Sequence, residues 1–169
     1  MPDSITTPAP DSFDVSVIVE FRMTRDNRWQ EGYWQVAGVV AGDQPGQDSA
    51  TGRQLHAATQ EQQYLWTGLH VKLFRDDAES YYYNLVSDTP RVFIICSQVA
   101  DEPPQPFIAT LSYGEATSYM ETDEMVESVD MPPELYRWAE HFVLEHYVPV
   151  KRKKRKRNNW KEADSGPRR

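Results

Sequence analysis

Residues 13–23 read FDVSVIVEFRM, a stretch in which an apolar side chain recurs at every second position. A period of two places one set of side chains on one face of an extended chain and the other set on the opposite face. The stretch therefore predicts a half-buried β-strand. Residues 33–40, YWQVAGVV, follow a polar turn and predict a second strand that pairs antiparallel with the first.

Four further strands are predicted along the chain, at residues 64–74, 81–86, 92–96 and 107–111. The first two of these four are expected to form a hairpin, because only a short polar stretch separates them. Residues 42–59 are rich in Gly, Pro, Asp, Ser and Gln, a composition typical of loops. We therefore predict that this segment is the longest internal loop.

Two helices are predicted after the strands. Ser112 and Glu115 have the spacing of a capping box, which predicts a short helix from Tyr113 to about Glu121. The second helix begins near Pro132 and ends before Pro149, with apolar residues at helical spacing: Leu135, Trp138, Ala139, Phe142 and Val143. Residues 121–130, between the helices, are acidic, and a solvated linker is favoured there over a cation site because the ligand spacing of a calcium loop is missing.

These elements predict one α+β domain over residues 13–150. Its antiparallel sheet of about six strands, which can curl toward a barrel, is accompanied by a short helix and a C-terminal amphipathic helix. Residues 1–12 are expected to form a disordered leader and residues 151–169 a disordered basic tail. A core of about 140 residues is the ordinary size of a single domain.

The charge of the chain changes sign at residue 151. Residues 1–150 contain 24 acidic and 8 basic residues, whereas residues 151–169 contain 10 basic and 2 acidic residues. Seven cations follow one another without interruption, with Trp160 three residues beyond them: Lys151, Arg152, Lys153, Lys154, Arg155, Lys156 and Arg157. Because like charges repel in a compact fold, this basic run is expected to be solvated and to bind an acidic surface or a polyanion.

Two kinds of partner fit the basic run. An acidic protein surface, or the acidic body of the chain itself, is favoured because residues 1–150 would repel a nucleic acid at close approach. The alternative is a nucleic-acid-binding protein whose tail contacts phosphates while Trp160 stacks on a base. The sequence alone does not decide between contacts within one molecule and contacts between two.

Several functional classes lack support in the sequence. No apolar run approaches the length of a membrane span, and the single cysteine, Cys96, agrees with a reducing cytoplasm, so we expect a cytoplasmic protein. His141 and His146 lie five residues apart, about 140° around a helix, which disfavours a shared metal. Neither a phosphate-binding Gly-rich loop nor a Ser-centred nucleophile elbow is present, so no catalytic, metal-binding or cofactor-binding residue is assigned.

Aromatic side chains are frequent in the predicted strands and offer a possible recognition surface. Amphipathic aromatic residues suit interfaces, but core packing explains the same residues equally well. The residues concerned are Trp29, Tyr33, Trp34, Tyr64, Trp66, Tyr81, Tyr82 and Tyr83.

Four segments carry a family resemblance: the strand at 15–22, the turn at 27–29 with Trp34, the helix start at 112–116, and residues 131–149 with the basic run. Together they resemble a proteobacterial family known as domain of unknown function 3305. Genes of that family tend to lie beside those for molybdenum-dependent formate dehydrogenase. The resemblance implies a non-enzymatic accessory protein that acts in maturation or assembly of that enzyme, with a molybdopterin-cofactor maturation enzyme as the alternative.

Overall fold

The computed structural model describes residues 11–24, 32–42, 51–58, 61–100 and 102–151. Of the predicted leader, only Asp11 and Ser12 are among these residues, and Ser12 already belongs to the first strand. Of the predicted basic tail, only Lys151 is described.

The described residues form seven strands and three α-helices. The strands are β1 Ser12–Arg22, β2 Tyr33–Ala41, β3 Thr51–Ala58, β4 Glu61–Lys72, β5 Arg91–Ser97, β6 Gln105–Thr110 and β7 Met125–Asp130. The helices are α1 Ala78–Leu85, α2 Tyr113–Met120 and α3 Pro133–His146, and a 3-10 turn, Arg75–Asp77, precedes α1. The predicted α+β fold class is confirmed.

The strands form one sheet in the order β2-β1-β4-β6-β5-β7, and β3 pairs with residues 61–67 of β4 outside this order. Neighbours run antiparallel except β4 and β6, which pair in parallel where Val71 lies beside Ala109. The sheet, which was predicted to be antiparallel, therefore contains one parallel pair of strands. The reason lies in the connection, because α1 and β5 intervene in the chain between these two neighbours.

A charged side chain of β7 joins the two end strands of the sheet, β2 and β7. The Val36 N–H on β2 donates a hydrogen bond of 2.7 Å to Glu127 Oε2 on β7. An N–H donor to a carboxylate forms a charge-assisted bond, which is stronger than a neutral one. The sheet is thus a nearly closed barrel, as the sequence predicted.

Replacing Glu127 with alanine is expected to lower the free energy of unfolding by about 1–3 kcal/mol, because the buried Val36 N–H loses its acceptor. Urea-induced unfolding measures this loss. Glu121→Ala is the matched control, since Glu121 is exposed just after α2. Equal losses in the two variants would contradict a role for Glu127 in closing the barrel.

The prediction of a strand at residues 81–86 is wrong, because these residues lie in or just beyond α1. Ala78, Tyr81 and Leu85 are buried on one side of that helix, at the spacing of helical turns. The three consecutive tyrosines have a high strand propensity, but the burial of one helical face outweighs it. The predicted hairpin with residues 64–74 is wrong for the same reason.

The loop prediction for residues 42–59 is wrong for Thr51–Ala58, which form β3, while residues 43–50 and 59 lie outside the described residues. Residues 52–55 are exposed, so β3 shows little apolar alternation. Gly52, a loop signal in the sequence, lies opposite Trp66, and a Cβ there would lie only 2.8 Å from the indole ring. Packing of Trp66 against the backbone explains a glycine within this strand.

The linker prediction for residues 121–130 is also wrong in part, because Met125–Asp130 form β7. This strand pairs antiparallel with β5, from Arg91 opposite Asp130 to Cys96 opposite Met125. On β7 only Val129 is buried, so the strand shows little of the alternation of apolar residues that would have predicted it from the sequence.

Both predicted helices are confirmed. The Glu115 N–H donates to Ser112 Oγ at 3.2 Å, which caps the start of α2, and the Glu115 carboxylate accepts from Thr110 Oγ1 at 2.6 Å. Helix α3 buries the four residues Leu135, Ala139, Phe142 and Val143 and packs against α1. No helix within the described ranges is both long and apolar enough to cross a membrane.

Candidate functional site

The basic run begins at Lys151, five residues after the last residue of α3. Lys151, its first residue, is exposed, whereas Arg152, Lys153, Lys154, Arg155, Lys156, Arg157 and Trp160 lie outside the described residues. The structure therefore shows where the basic run begins. Partner binding by these side chains stays a prediction.

Aromatic contacts hold the chain at the end of α3. The Tyr147 N–H donates to the Val143 carbonyl at 2.9 Å, and the Tyr147 backbone is then extended. Its ring stacks on Tyr82 of α1, with ring centres 4.6 Å apart and an angle of 24° between the planes. Because stacked rings of this kind add to the stability of a contact, the chain leaves α3 beside α1.

A concave site of about 770 Å³ lies at this junction between α1 and the end of α3. We call it the junction cavity. Its lining comes from the 3-10 turn, from α1, from the last residue of α3 and from the segment after it, and includes Arg75, Asp76, Glu79, Tyr83, His146, Tyr147 and Val150. The residue after Val150 is Lys151, so the basic run begins at the edge of the cavity.

The junction cavity combines acidic and aromatic groups. Asp76 and Glu79 are exposed carboxylates, and the basic residues of the lining are Arg75 and His146. Partial burial, followed by the effects of Tyr83 and Glu79, raises the pKa of Tyr147 above its ordinary value. An acidic, aromatic surface of this kind is suited to binding cations.

Three exposed apolar side chains stand close to the origin of the basic run. Leu144 on α3 is 78% exposed, and Val148 and Val150 beyond the helix are 77% and 86% exposed. Apolar and cationic groups are therefore neighbours along one short segment, a combination found at protein interfaces.

A second concave site of about 510 Å³ lies on the other side of Tyr83, which lines both. Its surface is mostly apolar and includes Phe93 and Tyr113, whose ring centres are 5.8 Å apart. Asn84 also lines it, but all of the polar atoms of its amide group are engaged in hydrogen bonds to backbone groups.

The histidines and acidic residues do not form a recognisable centre in the described part of the chain. No group of three or more His, Cys, Asp or Glu side chains there is placed to hold a metal ion. His70 hydrogen-bonds to Asp14, and His146 lies 3.7 Å from the Glu145 carboxylate. His141 is exposed on α3.

The predicted aromatic surface is divided by the fold. Tyr81 is buried in the core, Tyr82 is half-buried, and Tyr83 is 60% exposed. Tyr81 contacts Phe142 of α3 within the core, whereas Tyr82 stacks on Tyr147 and Tyr83 lines the junction cavity. Trp29 lies outside the described residues.

Sequence analysis missed the junction cavity because it read residues 81–86 as a strand. The spacing of Ala78, Tyr81 and Leu85 is the signal that could have found it. That spacing buries Tyr81 and places Tyr83 and Glu79 on the solvent side of one helix.

A family model described as "Protein of unknown function (DUF3305)" matches residues 14–157. The chain belongs to the DUF3305 family. The match covers the barrel, the three helices and the basic run as far as Arg157. No curated protein and no solved structure gives a significant match.

The one cysteine of this DUF3305 chain is buried in β5. Burial, with smaller effects of the Glu127 and Glu124 carboxylates, raises the pKa of Cys96 to about 12. At pH 8 roughly one such thiol in 10,000 is ionised, and the thiolate is the reactive form. The Cys96 thiol is therefore protected from reaction by its burial and by remaining in the neutral, protonated form.

Iodoacetamide is expected to label Cys96 very slowly in the folded protein at pH 8 and rapidly in concentrated urea, as mass spectrometry would record. Because the pKa is raised, the thiolate population and the labelling rate should still climb with pH between 8 and 10. Val99→Cys, at a position 56% exposed, supplies a thiol that should be labelled at once. Equal rates for Cys96 in folded and unfolded protein would contradict this prediction.

Proposed function

We propose that the protein is a non-enzymatic accessory protein that docks on an acidic protein surface through its basic run. The observation that carries the proposal is the origin of the run, where the exposed residues Leu144, Val148 and Val150 precede Lys151 within seven positions of the chain. Apolar side chains supply contact area that is indifferent to salt, while a run of cations supplies attraction and orientation.

The partner we propose is a molybdenum-dependent formate dehydrogenase or a component of its assembly machinery. This choice is supported by the family resemblance, whose members tend to be encoded beside that enzyme. The role would be maturation or assembly, in which an accessory protein holds an immature subunit or hands it on. The acidic body, with 24 acidic and 8 basic residues before residue 151, also favours a protein partner over nucleic acid.

The experiment is affinity purification of nuclease-treated protein from the native host at physiological salt. Full-length protein is expected to recover formate dehydrogenase subunits or their chaperones, and a version ending at Val150 is expected to lose them. Replacing residues 151–157 with glutamine should act like the truncation, because the charge is lost while the length is kept. The matched control replaces Lys161, Arg168 and Arg169, the other cations of this segment, and should retain the partner.

Formate dehydrogenase activity is a second measurement, and it distinguishes docking that supports the enzyme from binding without a functional effect. Formate dehydrogenase activity in a strain lacking the protein should be restored by the full-length chain and by the control, but not by the glutamine variant. Recovery of nucleic acid alone, lost after nuclease treatment and steeply dependent on salt, would replace this proposal with the nucleic-acid alternative. Equal partner recovery with and without residues 151–157 would overturn docking through the run.

A further inference from the structure

The junction cavity and the basic run are opposite in charge and adjacent in the chain. Asp76 and Glu79 line the cavity as exposed carboxylates, and Asp77 lies between them in the sequence. The run carries seven cations from Lys151 to Arg157. Opposite charges at the surface attract most strongly within about 10 Å at ordinary salt, so proximity decides whether they associate.

The run needs no linker to reach the cavity. Val150 lines the cavity and Lys151 follows it directly. Seven extended residues span at most about 23 Å. The cations can therefore be distributed over the cavity and its edge by local folding of the chain alone.

The aromatic lining adds a second attraction. Tyr83 is 60% exposed, and Tyr147, whose ring stacks on Tyr82, lies within hydrogen-bonding reach of the Tyr83 hydroxyl. A lysine or arginine over such a ring gains about 0.5–1 kcal/mol at an exposed position. A tyrosine hydroxyl is neutral near pH 7 at its ordinary pKa of about 10, so both rings are suited to this contact.

We propose that residues 151–157 bind the junction cavity of their own chain, as an internal partner that an external acidic surface must displace. Binding within one molecule is favoured because a short connection gives an effective concentration in the millimolar range. Other copies at micromolar concentration compete poorly with a segment already held at the edge of the site. The internal contact would shield both the cavity and the run until a partner of higher negative charge density arrives.

Paramagnetic broadening in the purified full-length protein tests this proposal. Asn158→Cys places a spin label just beyond the run and keeps all seven cations, while Cys96 is buried and should remain unlabelled. At about 50 mM salt, the backbone amide signals of Tyr83 and Tyr147 are expected to lose more than half of their intensity. The intensity should return at about 500 mM salt, where screening shortens the range of attraction.

Neutralising the cavity provides the decisive comparison. Asp76→Asn with Glu79→Gln should restore the signals at low salt, because the attraction is lost. Glu121→Gln with Asp123→Asn makes the same change of net charge at two exposed residues that do not line the cavity, and should leave the broadening intact. Absence of broadening, or equal broadening in both double variants, would overturn the proposal.

A mixed sample distinguishes one molecule from two. Spin-labelled protein without ¹⁵N is combined with ¹⁵N protein without a spin label, so any broadening must come from a neighbouring copy. Intact signals support the internal contact, and broadening of Tyr83 and Tyr147 overturns it in favour of exchange between copies. Because these measurements use the protein alone, their outcome is independent of whether formate dehydrogenase is the external partner.

Discussion

Replacing Asn84 with aspartate is expected to lower the free energy of unfolding by about 2–4 kcal/mol. The Asn84 Nδ2 group donates to the carbonyls of Arg91, at 2.8 Å, and Leu111, at 3.0 Å. Its Oδ1 accepts from the Arg91 N–H at 2.9 Å. The variant keeps the shape and this acceptor, but a carboxylate oxygen then faces two carbonyl oxygens that have lost their donor.

The large effect follows from what Asn84 joins. It is the penultimate residue of α1 and connects that helix to the first residue of β5 and to the residue just beyond β6. Gln105→Glu is the matched control, because it adds the same charge at an exposed position on β6 and should cost little. Chemical unfolding monitored by circular dichroism measures both, and similar stabilities for the two variants would show that the amide does not hold α1 in place.

Asn84 also illustrates what sequence patterns cannot show. Its three bonds join residues 84, 91 and 111, and no local pattern marks an asparagine that will bond to distant backbone groups. By contrast, the alternation at 13–23 and the helical spacing at 135–143 each arise from one buried face, so β1 and α3 were predictable.

The errors share one physical origin: tertiary packing and strand pairing outweighed the local preference of the residues. Tyrosines at 81–83 favour a strand in isolation, yet the core accepts Tyr81 together with Ala78 and Leu85 on a helix. The acidic residues of 125–130 resemble a linker, yet pairing with β5 makes them a strand, and Glu127 closes the barrel. Tertiary partners of this kind are absent from local sequence patterns.

Of the candidate site, the basic run could be predicted from the sequence and the junction cavity could not. The run of like charges identifies residues 151–157 from composition alone. The cavity that Val150 lines just before the run also contains Asp76, Glu79 and Tyr83, which are about 70 residues earlier in the sequence and reach this place only because α1 packs on α3. Prediction of the junction cavity therefore depends on the contact between these two helices.

Leu135→Ala tests that contact and is expected to lower the free energy of unfolding by about 3 kcal/mol. The Leu135 side chain is fully buried in the core cluster, and its removal leaves a cavity beneath α3 that the barrel and the other helices fill only in part. Urea-induced unfolding measures the loss. Tyr136, the next residue, donates from its hydroxyl to the Leu85 carbonyl at 3.3 Å, so a looser α3 should also weaken the connection to α1.

Leu144→Ala is the control within the same helix. Leu144 is 78% exposed, so the same chemical change should alter stability by less than about 0.5 kcal/mol. The two leucines separate the roles that we assign to α3: Leu135 holds the helix on the body, whereas Leu144 faces outward near the origin of the basic run. Leu144→Ala should therefore leave the fold intact while weakening recovery of the external partner. Equal losses of stability in the two variants would contradict this division of the helix into a packed face and a docking face.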